Sequence, residues 1–260
     1  MQEFNGKTAL ITGASSGLGA DFARRLAQSG ANLVLVARRL KRMQELKREI
    51  LASHPVDIEI IKLDLGVPGA AQKLFDQLHP KPIEILINNA GFGVYGNFLK
   101  QDLQRQRDML ALNMITLTEL SHLFGAEMAK RGNGYILQVA SLAGYQAMPN
   151  YAAYSAAKSY VLLLGEALHH ELKPKGVTCT VLSPGITATE FFEVSGQTPS
   201  KNNRAIMMSS SDVVQIGLST LLAGKQSVVP GFANKVMCLA TRFVSRSLTA
   251  RVSYLLMKNR

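Results

Sequence analysis

The sequence predicts an α/β fold: one domain built on a doubly wound parallel sheet of about seven strands, with helices on both faces. Three observations carry this. Short β-rich runs alternate with helical stretches along the chain, the pattern of a parallel sheet covered on both sides. Most of the runs are continuously apolar, as in Leu33-Val34-Leu35-Val36, which is what strands buried on both faces require. The chain has 260 residues, 47% hydrophobic and 18% charged, enough for one full core and inconsistent with wholesale disorder.

The strands fall at Thr8–Thr12, Asn32–Ala37, Asp57–Lys62, Glu84–Asn88, Gly134–Ala140, Val177–Ser183 and Gln226–Val229. Helical stretches lie between them at Gly17–Ser29, Leu40–Ala52, Ala70–Leu78, Leu103–Lys130, Tyr151–Lys173 and Asp212–Ala223. Gly30, Gly176 and Gly224 stand just past helix ends, where a left-handed cap is wanted. No internal repeat, low-complexity stretch or interdomain linker interrupts the order. Ser195–Ser211 is an extended polar stretch after a strand end and is expected to be a mobile lid. Residues 1–234 are expected to form the sheet domain, and 235–260 a basic amphipathic helical tail of the same domain.

The first strand runs through Thr12-Gly13-Ala14-Ser15-Ser16-Gly17-Leu18-Gly19 into a helix. Glycines here permit a tight turn, close approach of backbone to a pyrophosphate and close helix packing, and the helix N-terminus offers free N–H groups to phosphate. The spacing is G-x3-G-x-G, not G-x-G-x-x-G, so the strand before it and the helix after it carry much of the argument. Gly-rich turns also occur in α/β proteins that hold no nucleotide. An NAD site places an acid at the end of the second strand to hold the ribose 2′-hydroxyl; this chain has Ala37-Arg38-Arg39. Guanidinium groups match a 2′-phosphate, with Ser15 and Ser16 adding hydroxyl donors, so NADP(H) is the expected cofactor and Arg38 its first-named contact. The alternative is a solvated basic helix start, but cations there oppose the helix dipole.

Tyr154-Ser155-Ala156-Ala157-Lys158 sets a phenol and an ammonium four residues apart on one helical face. A free tyrosine titrates near ~10. A neighbouring ammonium is expected to lower that value and bring the phenol into acid/base range. Such a pair also arises by chance on surface helices. Ser141 follows a strand at the sheet edge where ligands bind, and its hydroxyl can stabilise a developing alkoxide. Asn113 is a polar amide in the apolar stretch Met109–Leu117, and a structural hydrogen bond is its default explanation.

Taken together, Thr-Gly-x3-Gly-x-Gly at 12–19, Asp64-Leu65, Asn88-Asn89-Ala90-Gly91, Asn113, Ser141, Tyr154-x3-Lys158 and Ser183-Pro184-Gly185 resemble the short-chain dehydrogenases/reductases over residues 6–190. The resemblance implies a Rossmann-type fold and a catalytic tetrad of Asn113, Ser141, Tyr154 and Lys158. It implies that Lys158 also holds the nicotinamide ribose and that Asn113 positions a water in a proton relay. Asp64, with Leu65, would contact the adenine; Asn89, Ala90 and Gly91 the cofactor ribose region; Pro184, Gly185, Ile186, Thr187 and Thr189 the nicotinamide end. The activity implied is hydride transfer between NADPH and a carbonyl or alcohol carbon, with Tyr154 as acid/base. The rival from another class is a non-catalytic NADP(H)-binding sensor or scaffold, against which the intact tetrad speaks.

Phe92, Tyr95, Phe98, Tyr145, Met148, Phe191, Phe192 and Met207 flank strand ends or the expected lid. If they line a pocket they favour an apolar ketone, aldehyde, acyl or steroid-like substrate; several are equally explicable as core. The net charge of +11 is concentrated late. From Val213 onward there are seven Lys and Arg and no acid, leaving 22 basic against 18 acidic residues before it. This and the lack of any nucleic-acid motif argue against a nucleic-acid partner. At about 100° per residue, Lys235, Arg242 and Arg246 share one sector of the tail and Val236, Leu239, Ala240, Phe243 and Val244 an adjoining apolar one. Arg251 breaks that pattern, so the helix is expected to end or bend near Ser245–Ser247 and restart. Its apolar face packs on this domain or on a second subunit, or else rests weakly on a membrane surface. A homo-oligomer, dimer or tetramer, is expected. Cys179 and Cys238 suggest neither disulfide framework nor metal site, Cys179 reads as core, and His169-His170 read as surface residues. With no signal-like start and no bilayer-length apolar run, the expected location is cytoplasmic.

Overall fold

A computed structural model of the chain describes residues 4–197 and 207–258. Seven strands form one parallel sheet in the order β3-β2-β1-β4-β5-β6-β7. They are β1 (Thr8–Thr12), β2 (Asn32–Ala37), β3 (Ile58–Lys62), β4 (Ile85–Asn88), β5 (Gly134–Val139), β6 (Val177–Leu182) and β7 (Ser227–Val228). The order reverses direction between β1 and β4, and ligands bind beyond the strand ends at such a switch point. Alternation along each strand splits the core in two. Ile11, Leu35, Ile87 and Leu182 face one cluster, and Leu10, Val34, Leu86 and Ile136 face the other.

The helices are α1 (Gly17–Gln28), α2 (Leu40–Leu51), α3 (Ala70–Leu78), α4 (Leu103–Leu110), α5 (Leu117–Arg131), α6 (Ala152–Leu172), α7 (Phe191–Ser195), α8 (Ser210–Leu222), α9 (Phe232–Ala240) and α10 (Arg246–Lys258). Side chains of α1, α2 and α8 fill the first core and those of α3 and α5 the second. Gly30, Gly176 and Gly224 all have positive φ, as the cap argument requires. The long helix expected over Leu103–Lys130 is interrupted by a π-helical turn at Ala111–Thr116. One inserted residue shifts the buried face without breaking the apolar run, so periodicity alone does not reveal it.

Two other expectations change. His169 is buried, not on the surface, because that face of α6 packs on β6 and its Nδ1 lies 2.8 Å from the Cys179 carbonyl oxygen. The tail does divide: α9 stops at Ala240 and α10 restarts at Arg246, with Ser245 Oγ accepting from the Leu248 N–H at 3.3 Å. Of the expected lid, 198–206 lies outside the described residues; Met208 is tied back to the sheet edge by hydrogen bonds with Ile186 and Ala188, each 3.0 Å. Cys179 is core as expected, and burial pushes its thiol up to about 12.

Candidate active site

A cleft of about 620 Å³ runs along the C-terminal edge of the sheet, from the glycine turn and Arg38, Arg39 and Asp64 at one end to Ser141, Tyr154, Lys158 and Phe191 at the other. The glycine turn is braced from below. Thr12 Oγ1 donates to the Ile87 carbonyl (3.2 Å) and accepts from the N–H groups of Asn89 and Ala90 (both 3.0 Å). Asn89 Nδ2 returns a bond to the Thr12 carbonyl at 2.9 Å. Gly13 has φ +68°, and a Cβ added there would lie 2.9 Å from Ala90 Cα. At Gly19 a Cβ would lie 2.2 Å from the Gly13 carbonyl oxygen. Only glycine fits, and Ser16 makes no side-chain cap at the start of α1, whose first turn carries no acid. The N–H donors and positive end of the helix dipole remain available to an anion, so the residues present fit a dinucleotide diphosphate.

The arginines divide the work beside this turn. Arg39 donates to Ser15 Oγ (3.1 Å) and to Ser16 Oγ, and pairs with Glu190 at 2.8 Å; Arg42 pairs with the other oxygen of Glu190. Arg42 and Arg39 hold the Glu190 carboxyl down to about 2. Arg38, named first from the sequence, is 70% exposed and lies 3.7 Å from Asp64. Arg39, not Arg38, is the guanidinium woven into the serine pair.

At the other end, Ser141 caps the 3-10 turn Leu142–Tyr145, its Oγ accepting from the Ala143 N–H at 3.1 Å. Gly144 lets that turn lie directly on α6: a Cβ there would meet the Lys158 carbonyl oxygen at 2.7 Å. Ser159 Oγ fastens the contact by donating to the Gly144 carbonyl at 2.6 Å. Ser141 is thereby held against α6 beside the Tyr154 phenol, where its hydroxyl favours the ionised phenol. Tyr154 and Lys158 are both buried; Lys158 Nζ donates to the Val139 carbonyl at 2.8 Å and stands 5.9 Å from the Tyr154 ring centroid.

Burial raises the Tyr154 phenol above the ordinary tyrosine range, against the opposing influence of the Ser141 hydroxyl, and pulls Lys158 down to about 8. The expected lowering of the phenol by its lysine neighbour is therefore not what this arrangement produces. The ammonium faces the ring, and desolvation dominates both groups.

Asn113 sits on the π-helical turn, its side chain pinned by Phe92: Oδ1 accepts from the Phe92 N–H (3.2 Å) and Nδ2 donates to the Phe92 carbonyl (3.0 Å). This is the structural partner a buried amide needs. Gly91 brings the group together, since a Cβ there would lie 2.6 Å from Asn113 Oδ1 and 3.6 Å from Lys158 Nζ.

An aromatic wall closes the cleft beside Tyr154. Its ring meets Phe191 at 5.4 Å and Tyr151 at 5.5 Å between centroids. Tyr151, three residues before Tyr154, belongs to this wall although no motif in the sequence marks it. The Tyr151 hydroxyl donates to Gln197 Oε1 (2.9 Å) and lies 3.0 Å from Ser195 Oγ, and burial pushes its phenol up to about 12. Of the expected pocket residues, Phe92, Tyr145, Met148, Phe191 and Phe192 line the cleft. Tyr95 instead packs behind Tyr151 at 5.2 Å, Phe98 is exposed on a 3-10 turn, and Met207 lies off the wall. Met237, Cys238, Thr241 and Ser253, from the last part of the chain, complete the lining unannounced by any motif. Gly185 admits α9 at this point: a Cβ there would lie 2.6 Å from Asn234 Nδ2.

Known proteins resemble this chain in sequence and in fold. Residues 7–200 match the family model described as short chain dehydrogenase. The chain is 34% identical over 187 residues to the ketoacyl reductase HetN of a Nostoc species, covering 71% of this chain and 65% of that one. Among solved structures, a short-chain dehydrogenase from Sphingobium yanoikuyae in complex with NADPH superposes with a TM-score of 0.82 at 30% identity, covering 90% of this chain and 92% of the other. The bulky-bulky ketone specific alcohol dehydrogenase from Comamonas testosteroni gives 0.79 at 32%, covering 92% of each. With the fold, the glycine turn and the family match in agreement over most of its length, the chain belongs to the short-chain dehydrogenases, oxidoreductases acting on CH–OH and C=O groups.

Proposed function

We propose that this chain is an NADP(H)-dependent oxidoreductase acting on bulky, apolar carbonyl or alcohol substrates, with Tyr154 as its acid/base. The observation that carries the reading is the convergence of Ser141, Tyr154 and Lys158 on one wall of a cleft whose far end is a glycine cradle flanked by arginines. When bound, the nicotinamide supplies or accepts the hydride. Tyr154, kept protonated by its burial, donates its O–H proton to the substrate oxygen as the carbonyl is reduced. The Ser141 hydroxyl shares that oxygen and stabilises the charge developing on it. Lys158 orients the nicotinamide ribose and returns the proton to Tyr154, and Asn113 holds the water of the relay through its place beside Gly91 and Lys158.

Choice of NADP(H) rests on Arg38, Arg39 and the two serines, with no acid at Ala37 to hold a free 2′-hydroxyl. The similar Sphingobium protein is described with NADPH, which agrees. For the substrate, Phe191, Phe192, Tyr151, Met148 and Met237 wall the reactive end, and the similar Comamonas enzyme is described as specific for bulky-bulky ketones. The test is initial rates of NADPH and NADH oxidation over a panel of aryl, alicyclic and long-chain ketones beside sugars and keto acids. NADPH with the apolar ketones should be fastest. Preference for NADH, or for the sugars, overturns the reading.

A further inference from the structure

The last two helices carry one surface pattern twice. On α9, Phe232, Val236 and Leu239 fall at i, i+4 and i+7, with Phe243 prolonging the stripe; on α10, Leu248, Val252 and Leu255 repeat the spacing. At about 100° per residue each stripe spans only about 60° of arc. All seven side chains are exposed, Phe232 by 83% and Phe243 by 81%, so the expectation that this face packs on its own domain fails. What faces the body is the opposite side: Asn234 and Cys238 on α9, and Ser253 on α10. Each stripe has a cation at i+3, Lys235 and Arg251, and Arg242 follows in the turn after α9. No acid occurs anywhere from Val213 onward.

We propose that residues 232–255 form an interfacial platform that rests on an anionic phospholipid bilayer, Phe232 and Phe243 entering the headgroup region and Lys235, Arg242 and Arg251 meeting lipid phosphates. An exposed apolar stripe flanked only by cations is complementary to such a surface. Face-to-face pairing of two copies would set cation against cation with no acid to relieve it. Among the described residues no helix is long and apolar enough to cross a membrane, so the contact is peripheral. The inner side of the same helices, through Met237, Cys238, Thr241 and Ser253, lines the cleft. A membrane-dissolved ketone therefore reaches Tyr154 along the underside of the platform; this second part rests on the function proposed above, whereas the docking does not.

The test is co-sedimentation of the full chain with phosphatidylcholine vesicles, with and without phosphatidylglycerol. The chain should pellet with the mixed vesicles, be released by high salt and stay in solution with the neutral ones. Phe232→Ser/Phe243→Ser, and separately Lys235→Gln/Arg242→Gln/Arg251→Gln, should each lower partitioning roughly tenfold or more, with circular dichroism unchanged. No pelleting, equal pelleting with neutral vesicles, or indifference to both variants overturns the proposal. So does light scattering in which Phe232→Ser/Phe243→Ser dissolves an oligomer while vesicle binding stays at the wild-type level, which assigns the stripe to a second copy. The delivery role is read separately as a lower KM for a lipophilic ketone when mixed vesicles are present; vesicle binding with no such change leaves docking and removes delivery.

Discussion

In the proposed reaction, Lys158 is the residue at which activity and stability pull apart. Its ammonium is buried with one carbonyl partner, and burial pulls it down to about 8. Because the folded value lies below the ordinary lysine range, the folded state is penalised at every pH where lysine is charged in the unfolded chain. That penalty is full below about 8 and fades as pH rises toward about 10. Lys158→Met should therefore raise stability at neutral pH by about 1–3 kcal/mol while removing turnover, and the gain should disappear by about pH 10. Urea titrations of both proteins at several pH values check this. The arginines at the far end of the cleft give a second expectation: Arg38→Leu/Arg39→Leu should weaken NADPH binding by about 2–5 kcal/mol and leave NADH binding nearly unchanged, as read by fluorescence titration. Residue identities at these positions were legible in the sequence because each stands beside a strand end or at helical spacing. Their electrostatics were not. Whether a lysine meets a phenol at its oxygen or its ring depends on how Gly144 and Val139 seat the helix.

The element on which the cofactor reading depends is the turn from β1 into α1. Gly19→Ala would drive a methyl to 2.2 Å from the Gly13 carbonyl oxygen, backbone that is itself locked by Thr12 and Asn89. The nearest atom is backbone, and the Asn89 amide at 2.7 Å is tied to the Thr12 carbonyl, so the turn must open. The expected result is a stability loss of about 1–3 kcal/mol in thermal or urea unfolding, with dinucleotide binding reduced further than stability alone explains. Strands and this turn were legible because continuous apolar runs and glycine spacing are local signals. The π-helical turn at Ala111–Thr116 was not, because an inserted residue leaves the apolar count of Met109–Leu117 unchanged. Nor was the burial of His169, since adjacent histidines on a helix look alike until β6 selects one face.

Across the whole molecule, one cleft takes its two ends from opposite halves of the chain: β1 to β3 border the glycine-turn end, and β5, β6, α6, α7 and the last two helices border the Tyr154 end. The sheet order puts both at the same edge, which is why separated motifs act together. The contribution of Met237, Cys238, Thr241 and Ser253 could not be read from the sequence, because no local pattern says which side of an amphipathic helix faces a cleft. Tyr154 is proposed to move the proton in an NADPH-dependent reaction, and single-turnover stopped-flow of NADPH oxidation with an apolar ketone checks this by comparing wild type with Tyr154→Phe at matched cofactor occupancy. NADPH affinity should be unchanged and the hydride-transfer rate lower by about 10²–10⁴-fold in Tyr154→Phe. Equal transfer rates in the two proteins would contradict it.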